Sequence, residues 1–177
     1  MKQITGDLFE IQGFDIKAIT TNGFVKNNGE AVMGRGCAKT ASKLWPELPA
    51  YLGKQISEHG NHVHHIASIE TSKAHFKSDK TNSFELYSFP VKPIWERQNG
   101  KMVPGWACKA QLELIARSAR ELVKIADDYF SFADPAILLP RAGCGNGERT
   151  WKEVEPILDE ILDDRFTTIT FVQDKRR

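Results

Sequence analysis

The chain has 177 residues, of which 41% are hydrophobic and 27% are charged, and its formal net charge at pH 7 is +1. These values are typical of a globular protein and exclude an intrinsically disordered one. The small net charge argues against a protein that coats duplex DNA, because contacts to many phosphates need a clear excess of basic residues. It leaves open a single nucleotide, or one modified base, held in a pocket. The length predicts one domain, covering residues 1–177.

Three cysteines, Cys37, Cys108 and Cys144, are odd in number and form no Cys-x-x-Cys pair. This usage predicts reduced thiols in a cytoplasmic protein rather than a disulfide framework. The first residues lack the apolar run of a signal peptide, and no segment approaches the ~20 apolar residues of a membrane span. We therefore expect a cytoplasmic protein with no membrane partner. No metal or cofactor is predicted, and the sequence does not predict an oligomeric state.

Short apolar runs alternate along the chain with helical patterns, which predicts an α/β fold in which helices cover the faces of a sheet. The predicted strands are residues 3–9, 18–21, 63–69, 84–89, 136–139 and 167–172. Apolar residues at helical spacing predict helices that begin at Gly36 and at Pro46, the second running to about residue 58, and helices at 111–126 and 151–162. Thr150 and Glu153 form a predicted capping box at the last helix. Residues 93–107 are predicted to be a loop, and such long loops are more often functional than idle.

Two glycine-rich turns each follow a predicted strand and precede a predicted helix. Helix N-termini present free backbone N–H groups and the positive end of the helix dipole, so anions bind there. Neither turn fits a Walker loop or a strict dinucleotide fingerprint. One such turn is more often a plain turn or a cap, but two together can hold a diphosphate from both sides. The predicted ligand-binding residues are Met33, Gly34, Arg35 and Gly36 in the first turn and Gly143, Cys144, Gly145, Asn146 and Gly147 in the second.

Four motifs, in order along the chain, resemble those of the macrodomain family, the ADP-ribose-binding α/β/α module. They are Gly6-Asp7-Leu8-Phe9, Thr20-Thr21-Asn22, residues 32–38, and residues 140–147 followed by Trp151 and Val154. The resemblance spans nearly the whole chain and implies a three-layer α/β/α fold with a central mixed, largely parallel sheet. It implies ADP-ribose, free or attached to DNA or protein, as the partner. In that arrangement Asp7 accepts the adenine amino group, Leu8 is a further binding residue, the glycine turns hold the diphosphate, and Asn22 reaches the distal ribose.

Within the family, the loops are most similar to those of the DarG antitoxin macrodomains, which remove ADP-ribose from DNA thymidine, and of terminal ADP-ribose protein glycohydrolase. Both carry a catalytic lysine after a strand, in a segment that residues 89–92 resemble. The resemblance therefore implies that Lys92 and Asn22 are the catalytic residues. The sequence departs from the glycohydrolase at Gly147, where that enzyme has an aspartate; DarG-like loops lack it too. Residues 26–30 and 93–107 also lengthen two loops relative to the family pattern.

The chemistry of Lys92 is consistent with this role. Lys92 lies between two prolines, which favour extended backbone around it. Desolvation against Phe89 and Trp95, or a nearby Arg97, is expected to lower its pKa, so that its amine could attack an anomeric carbon or an opened sugar. Without the resemblance, an ordinary surface lysine is the commoner explanation.

Several other candidates have plain structural explanations. Asp7 could cap a turn, and Asn22-Gly23 is a strong turn signal by itself. His62 and His64 share one face of a predicted strand, but no third ligand is evident, so a partly exposed strand is favoured over a metal site. Cys144 has no evident histidine partner and is interpreted as a small loop residue.

Trp95 and Trp106 could stack on an adenine or a flipped base, or could belong to the core. The leading functional hypothesis is a hydrolase that cleaves a group from C1'' of the distal ribose. Such an enzyme would be an ADP-ribosyl glycohydrolase acting on DNA or protein, or an ADP-ribose-1''-phosphate phosphatase. The alternative is a module that binds ADP-ribose or a related nucleotide signal without turning it over. A weaker possibility is a nucleotide-binding α/β protein outside the family.

Overall fold

Apart from one hairpin, strands and helices follow one another along the chain in the order that the hydrophobic pattern predicts. The computed structural model describes residues 1–71, 82–129 and 134–171. The strands in these ranges are β1 (Lys2–Thr5), β2 (Ile16–Asn22), β3 (His65–Thr71), β4 (Asn82–Lys92), β5 (Trp95–Gln98), β6 (Lys101–Pro104), β7 (Ile137–Pro140) and β8 (Phe166–Thr170). The helices are α1 (Gly36–Leu44), α2 (Leu48–His59), α3 (Leu112–Asp127) and α4 (Trp151–Ile161), and a short 3₁₀ turn covers Gly105–Ala107.

Six of the strands form one sheet in the order β1-β8-β7-β2-β4-β3. Neighbouring strands are parallel from β1 to β4, and β3 alone pairs antiparallel, with β4. The mixed, largely parallel sheet implied by the resemblance is therefore confirmed. Parallel strands end at the same edge of a sheet, and β2 lies between β7 and β4. The segments that follow these three strands consequently meet at one edge.

Helices cover both faces of this sheet, as predicted. Along β2, Ile16 and Ala18 pack on the side of α3 and α4, whereas Ile19 packs on the side of α1 and α2. The apolar stripe predicted for residues 111–126 forms α3, and its buried residues include Ile115 and Leu122. Two hydrophobic cores, one on each face, give the three-layer α/β/α architecture.

The first strand is shorter than predicted, because β1 ends at Thr5 rather than at residue 9. The Asp7 carboxylate accepts hydrogen bonds from the backbone N–H of Phe9 at 2.8 Å and of Glu10 at 3.4 Å. This side-chain cap turns the chain away from the sheet. Leu8 and Phe9 are nevertheless buried, so their apolar character reports packing of a turn rather than a strand.

The prediction of a loop at residues 93–107 is wrong, since β5 and β6 form a hairpin there. The two residues of its turn, Asn99 and Gly100, both have positive φ, at 49° and 78°. Asn-Gly in this conformation is the preferred two-residue connection of a hairpin. Gly105 closes the base: its N–H donates to the Ile94 carbonyl at 2.8 Å. A Cβ atom there would lie 1.6 Å from the Pro93 carbonyl oxygen, so only glycine fits.

The other predicted elements hold with shifted ends. Helix α2 begins at Leu48, two residues after Pro46, with Pro49 in its first turn. The capping box of Thr150 and Glu153 is present at α4. Strand β8 ends at Thr170; Val172, the last residue predicted for it, lies outside the described residues. No helix in the described part of the chain is long and apolar enough to cross a membrane.

A fully buried lysine near the start of β2 was not predicted. Lys17 extends beneath the turn that follows β1, and its ammonium group donates to the carbonyls of Phe9 at 3.3 Å and Ile11 at 2.6 Å. The same group lies 4.3 Å from the centre of the Phe84 ring. Burial lowers the pKa of Lys17 to about 8, against the opposing effect of the Asp7 charge. Lys17 thus attaches the turn carrying Asp7 to the sheet.

The lowered pKa predicts a distinct dependence of stability on pH. Between about pH 8 and pH 10.5 the folded chain has released the Lys17 proton, whereas the unfolded chain still binds it. Unfolding therefore takes up a proton, and the Lys17 contribution to the free energy of unfolding rises with pH across this window, by about 3 kcal/mol in total. Denaturant unfolding of the wild type and of Lys17→Met at several pH values measures this difference. Lys54→Met, at an exposed lysine of α2, is the control and should follow the wild type; parallel profiles for Lys17→Met would contradict the assignment.

Candidate functional site

The two glycine-rich turns lie side by side at the edge where β2, β4 and β7 end. We call residues 33–36, between β2 and α1, the first glycine loop, and residues 143–147, between β7 and α4, the second glycine loop. A Cβ atom placed on Gly36 would lie 3.4 Å from Nδ2 of Asn146. The two loops are therefore close enough to contact one small ligand from two sides.

The first glycine loop presents unused hydrogen-bond donors. Gly34, Arg35 and Gly36 are exposed, and within the described residues their backbone N–H groups donate to no protein acceptor. Arg35 is the N-cap of α1 and has extended backbone with no side-chain cap. The first turn of α1 contains no acidic residue. Free N–H groups, the helix dipole and the Arg35 charge all favour an anion at this loop.

The second glycine loop is held by its own backbone. Cys144 N–H donates to the Arg141 carbonyl at 3.2 Å, and Arg149 N–H donates to the Gly143 carbonyl at 3.0 Å. Gly145 and Asn146 are exposed at its tip. In the described part of the chain their N–H groups also lack protein acceptors. The loop therefore offers a second, preformed set of donors beside the first.

The glycines of the second loop have two different roles. A Cβ on Gly145 would meet nothing within 4 Å, as would a Cβ on Gly34 in the first loop. A Cβ on Gly147 would lie 2.4 Å from the Gly143 carbonyl oxygen. Gly143 itself has φ +72°, which favours glycine. Gly147 thus closes the loop, and no side chain fits at this position.

Asn22 and Lys92 are partners on adjacent strands, at the ends of β2 and β4, with an irregularity in register just before Asn22. The buried Asn22 amide donates to the Val32 carbonyl at 2.9 Å and accepts from Phe24 N–H at 3.0 Å. It therefore holds the entry to the first glycine loop against β2. One amide hydrogen and one lone pair of Asn22 remain without a protein partner among the described residues.

Lys92 is the last residue of β4, and its ammonium group donates to the Trp106 carbonyl at 3.3 Å. Burial lowers the pKa of Lys92, opposed by the charges of Glu148 and Cys108 and assisted by Arg35. The cationic neighbour is thus Arg35 in the first glycine loop rather than Arg97. Of these groups, Arg35 lies in the first glycine loop and Glu148 directly follows the second.

Asp7 and Leu8 are placed at the far side of the sheet, after β1. One carboxylate oxygen of Asp7 holds the turn, and the other has no donor among the described residues. The side chains of Leu8 and Met33 are buried in the core, so either residue would contact a ligand through its backbone. Asp7 therefore combines the cap expected of an aspartate after glycine with one free acceptor.

The remaining candidates have ordinary roles. Cys144 donates to the Ala142 carbonyl at 3.4 Å, and burial raises its pKa to about 11, as expected of a loop residue rather than a nucleophile. His62 pairs with Glu121 at 2.7 Å, whereas Nε2 of His64 contacts the Gly60 carbonyl at 2.8 Å. Across the described ranges, no group of three or more histidine, cysteine or acidic side chains could hold a metal ion.

The two tryptophans of the hairpin region are half-exposed and do not belong to the core. Trp95 is 47% exposed and packs against Phe24 in a T-shaped arrangement with 4.8 Å between ring centres, and Trp106 is 51% exposed. The Trp106 carbonyl is the acceptor of the Lys92 ammonium group. Both rings are therefore partly accessible to solvent, and the Trp106 backbone contacts Lys92.

Two features of the site were not predicted from the sequence. The segment 105–111 bridges β4 and the second glycine loop: Gln111 N–H donates to the Val91 carbonyl, and Ala110 N–H donates to the Gly147 carbonyl, both at 2.9 Å. Glu148, next to Gly147, has a left-handed backbone with φ +59°. No local pattern marks a segment as a bridge. For Glu148, the only signal in the sequence is its position directly after the glycine-rich turn.

Comparison with known proteins identifies the fold. No protein-family model matches the chain, and no curated protein matches it in sequence. Among solved structures, the macrodomain of Mycobacterium tuberculosis DarG is 19% identical, with a TM-score of 0.67 over 98% of this chain and 97% of that one. The macrodomain of Thermus aquaticus DarG is 18% identical, with a TM-score of 0.62 and 97% of each chain covered.

A third similar structure is Thermosipho africanus DarTG in complex with ADP-ribose. It is 16% identical, with a TM-score of 0.65 over 93% of this chain and 39% of that one. Together these similarities show that the chain has the macrodomain fold, which confirms the fold that the resemblance of motifs implied.

The geometry separates glycines that shape the second loop from those that leave space beside it. The free energies of unfolding of Gly34→Ala and Gly145→Ala should lie within about 0.5 kcal/mol of the wild-type value, because the added methyl group meets no atom and neither residue has positive φ. The free energy of unfolding of Gly147→Ala should be lower by about 1–3 kcal/mol, since its methyl group collides with the Gly143 carbonyl. Denaturant unfolding of the three variants distinguishes them. Equal stabilities would show that the second loop can rearrange.

Proposed function

We propose that this chain is an ADP-ribose-binding hydrolase that cleaves a group from C1'' of the distal ribose. One arrangement carries the proposal: two glycine loops with free N–H groups lie side by side, and a lysine with a lowered pKa lies at the adjoining strand end. A diphosphate suits two neighbouring sets of free N–H groups. That a structure with the same fold is complexed with ADP-ribose supports this choice of ligand.

The order of the elements across the sheet matches the order of groups along ADP-ribose. Asp7 follows β1, the second glycine loop follows β7, the first follows β2, and Lys92 ends β4. From β1 to β4 there are four strand spacings, or about 19 Å, so the ligand must be extended. In the proposed pose, the free oxygen of Asp7 accepts the adenine amino group, the loops hold the diphosphate, and Asn22 and Lys92 face the distal ribose.

In this pose Lys92 acts at C1'' as a nucleophile or as a proton donor. Either role is favoured by a pKa below the ordinary value for lysine, because the group then transfers a proton or an electron pair more readily near neutral pH. The N–H groups of the glycine loops stabilise the negative charge on the ligand. The group released is a base of DNA, an amino-acid side chain or a phosphate.

Binding is tested by calorimetry with ADP-ribose. We expect the wild type to bind, and Gly34→Ala and Gly145→Ala to bind at least about tenfold more weakly, because their methyl groups occupy the space in which the phosphates approach the backbone. Ser57→Ala, on α2, is a control that should bind like the wild type. Wild-type protein that fails to bind ADP-ribose would refute both the hydrolase and a binding module.

Turnover is tested by offering ADP-ribosylated DNA, ADP-ribosylated protein and ADP-ribose-1''-phosphate in parallel. We expect Lys92→Ala to lose at least about 10²-fold in kcat on whichever substrate the wild type cleaves, while its affinity for ADP-ribose stays within about threefold. Lys54→Ala, at an exposed lysine of α2, is the matched control. Tight binding without turnover of any of the three would instead assign the chain to the non-catalytic binding modules.

A further inference from the structure

Glu148 has a backbone conformation that its residue type disfavours. Its φ is +59°, and apart from Asn99 in the hairpin turn it is the only non-glycine residue with positive φ in the described part of the chain. A residue with a long side chain is uncommon there, whereas glycine adopts this conformation without strain. The chain thus carries glutamate at a position that suits glycine, and strain of this kind is often kept for function.

No structural contact explains the carboxylate. The Glu148 N–H donates to the Gly145 carbonyl at 3.0 Å, which any residue would do. The neighbouring Arg149 pairs instead with Glu153, at 3.3 Å, and with the Ala110 carbonyl, at 2.7 Å. Among the residues that the structure describes, the Glu148 side chain has no hydrogen bond and no ion pair, and it is exposed.

The segment 105–111 connects Lys92 to the residues on either side of Glu148. Lys92 donates to the Trp106 carbonyl, at one end of this segment. Near the other end of the segment, the Ala110 N–H donates a hydrogen bond to the Gly147 carbonyl, and the Ala110 carbonyl accepts one from the Arg149 side chain. Gly147 and Arg149 flank Glu148, so the segment holds the chain on both sides of Glu148. Consistent with this arrangement, the Glu148 charge is the main opposing influence on the lowered pKa of Lys92.

We propose that Glu148 is a second catalytic residue of the hydrolase, acting as the general base for water. This inference rests on the proposed function and assigns Lys92 the role of proton donor. The water oxygen forms a bond to C1'' while one of its protons passes to the Glu148 carboxylate. The bond between C1'' and the leaving group breaks, and the leaving group takes a proton from the Lys92 ammonium. Transfer of the proton from Glu148 to the neutral Lys92 amine then restores both groups.

The first test compares Glu148→Gln with the wild type on the substrate that the wild type cleaves. Glutamine keeps the size of the side chain but cannot accept the proton, so kcat should fall about 10²-fold or more while ADP-ribose affinity stays within about twofold. The pH profile should lose its acidic limb, and the limb due to Lys92 should move to lower pH, because the charge that raises its pKa is gone. Glu160→Gln, at an exposed glutamate of α4, is the matched control and should behave like the wild type.

The second test uses Glu148→Gly, which relieves the backbone strain. We expect its Tm to rise by about 2–5 °C while kcat falls as in Glu148→Gln. A stabilised but slow variant cannot be explained by damage to the fold. Glu148→Gln that keeps wild-type kcat and an unchanged pH profile, or that loses affinity in step with kcat, would overturn the inference and leave the proposed function standing. A wild type that binds ADP-ribose but cleaves nothing would overturn both.

Discussion

The candidate site depends on one bridge of backbone hydrogen bonds. Strands β4 and β7 are not neighbours, because β2 lies between them, so no hydrogen bond of the sheet joins their ends directly. The segment 105–111 does so, with one N–H donated to the end of β4 and another to the second glycine loop. Backbone bonds of this kind fix position without specifying side chains. The segment can therefore hold the end of β4 and the second glycine loop in fixed positions through its backbone, as long as Gly105 and Gly147 remain glycine.

The glycine loops combine rigidity with open space. In the second loop, Gly143 and Gly147 allow a tight backbone path that no side chain could enter, and Gly145 leaves the outer surface clear. In the first loop, Gly34 has the same clear surroundings. Because the donors are already in place, little conformational entropy is lost when an anion binds. A small exposed surface can therefore still hold a charged ligand.

Much of the fold was predictable from the sequence, because it rests on local patterns. The stripe of α3, the capping box of α4 and the strand ending at Asn22 are repeated apolar spacings or short polar signals. The end of β1 was missed because Leu8 and Phe9 are apolar in a turn as they would be in a strand. The hairpin was missed although Asn99-Gly100 signals one, since the prolines and tryptophans around it suggested a loop.

The site was predictable only in part, for a physical reason. Glycine loops after strands point to an anion, and the resemblance of motifs drew attention to Asp7, Asn22 and Lys92. The partners of those residues come from distant parts of the chain and leave no local pattern. Nothing in the sequence distinguishes Lys17 from an exposed lysine, but the turn after β1 covers it in the folded chain. Glu148 is distinguished only by its φ angle. Contacts across the sheet decide both.

The hairpin of β5 and β6 has a consequence for how this protein can change. It forms its own two-stranded sheet, and Gly105 closes its base against the chain at Pro93 and Ile94. The tip of the hairpin therefore forms no strand pairing with the central six-stranded sheet. Insertions, deletions or exchanged residues between Arg97 and Met102 would leave the bridge and Lys92 where they are. Divergence among descendants of this chain should accordingly concentrate at the tip, where new contacts to whatever carries the ligand can be acquired without redesign of the fold.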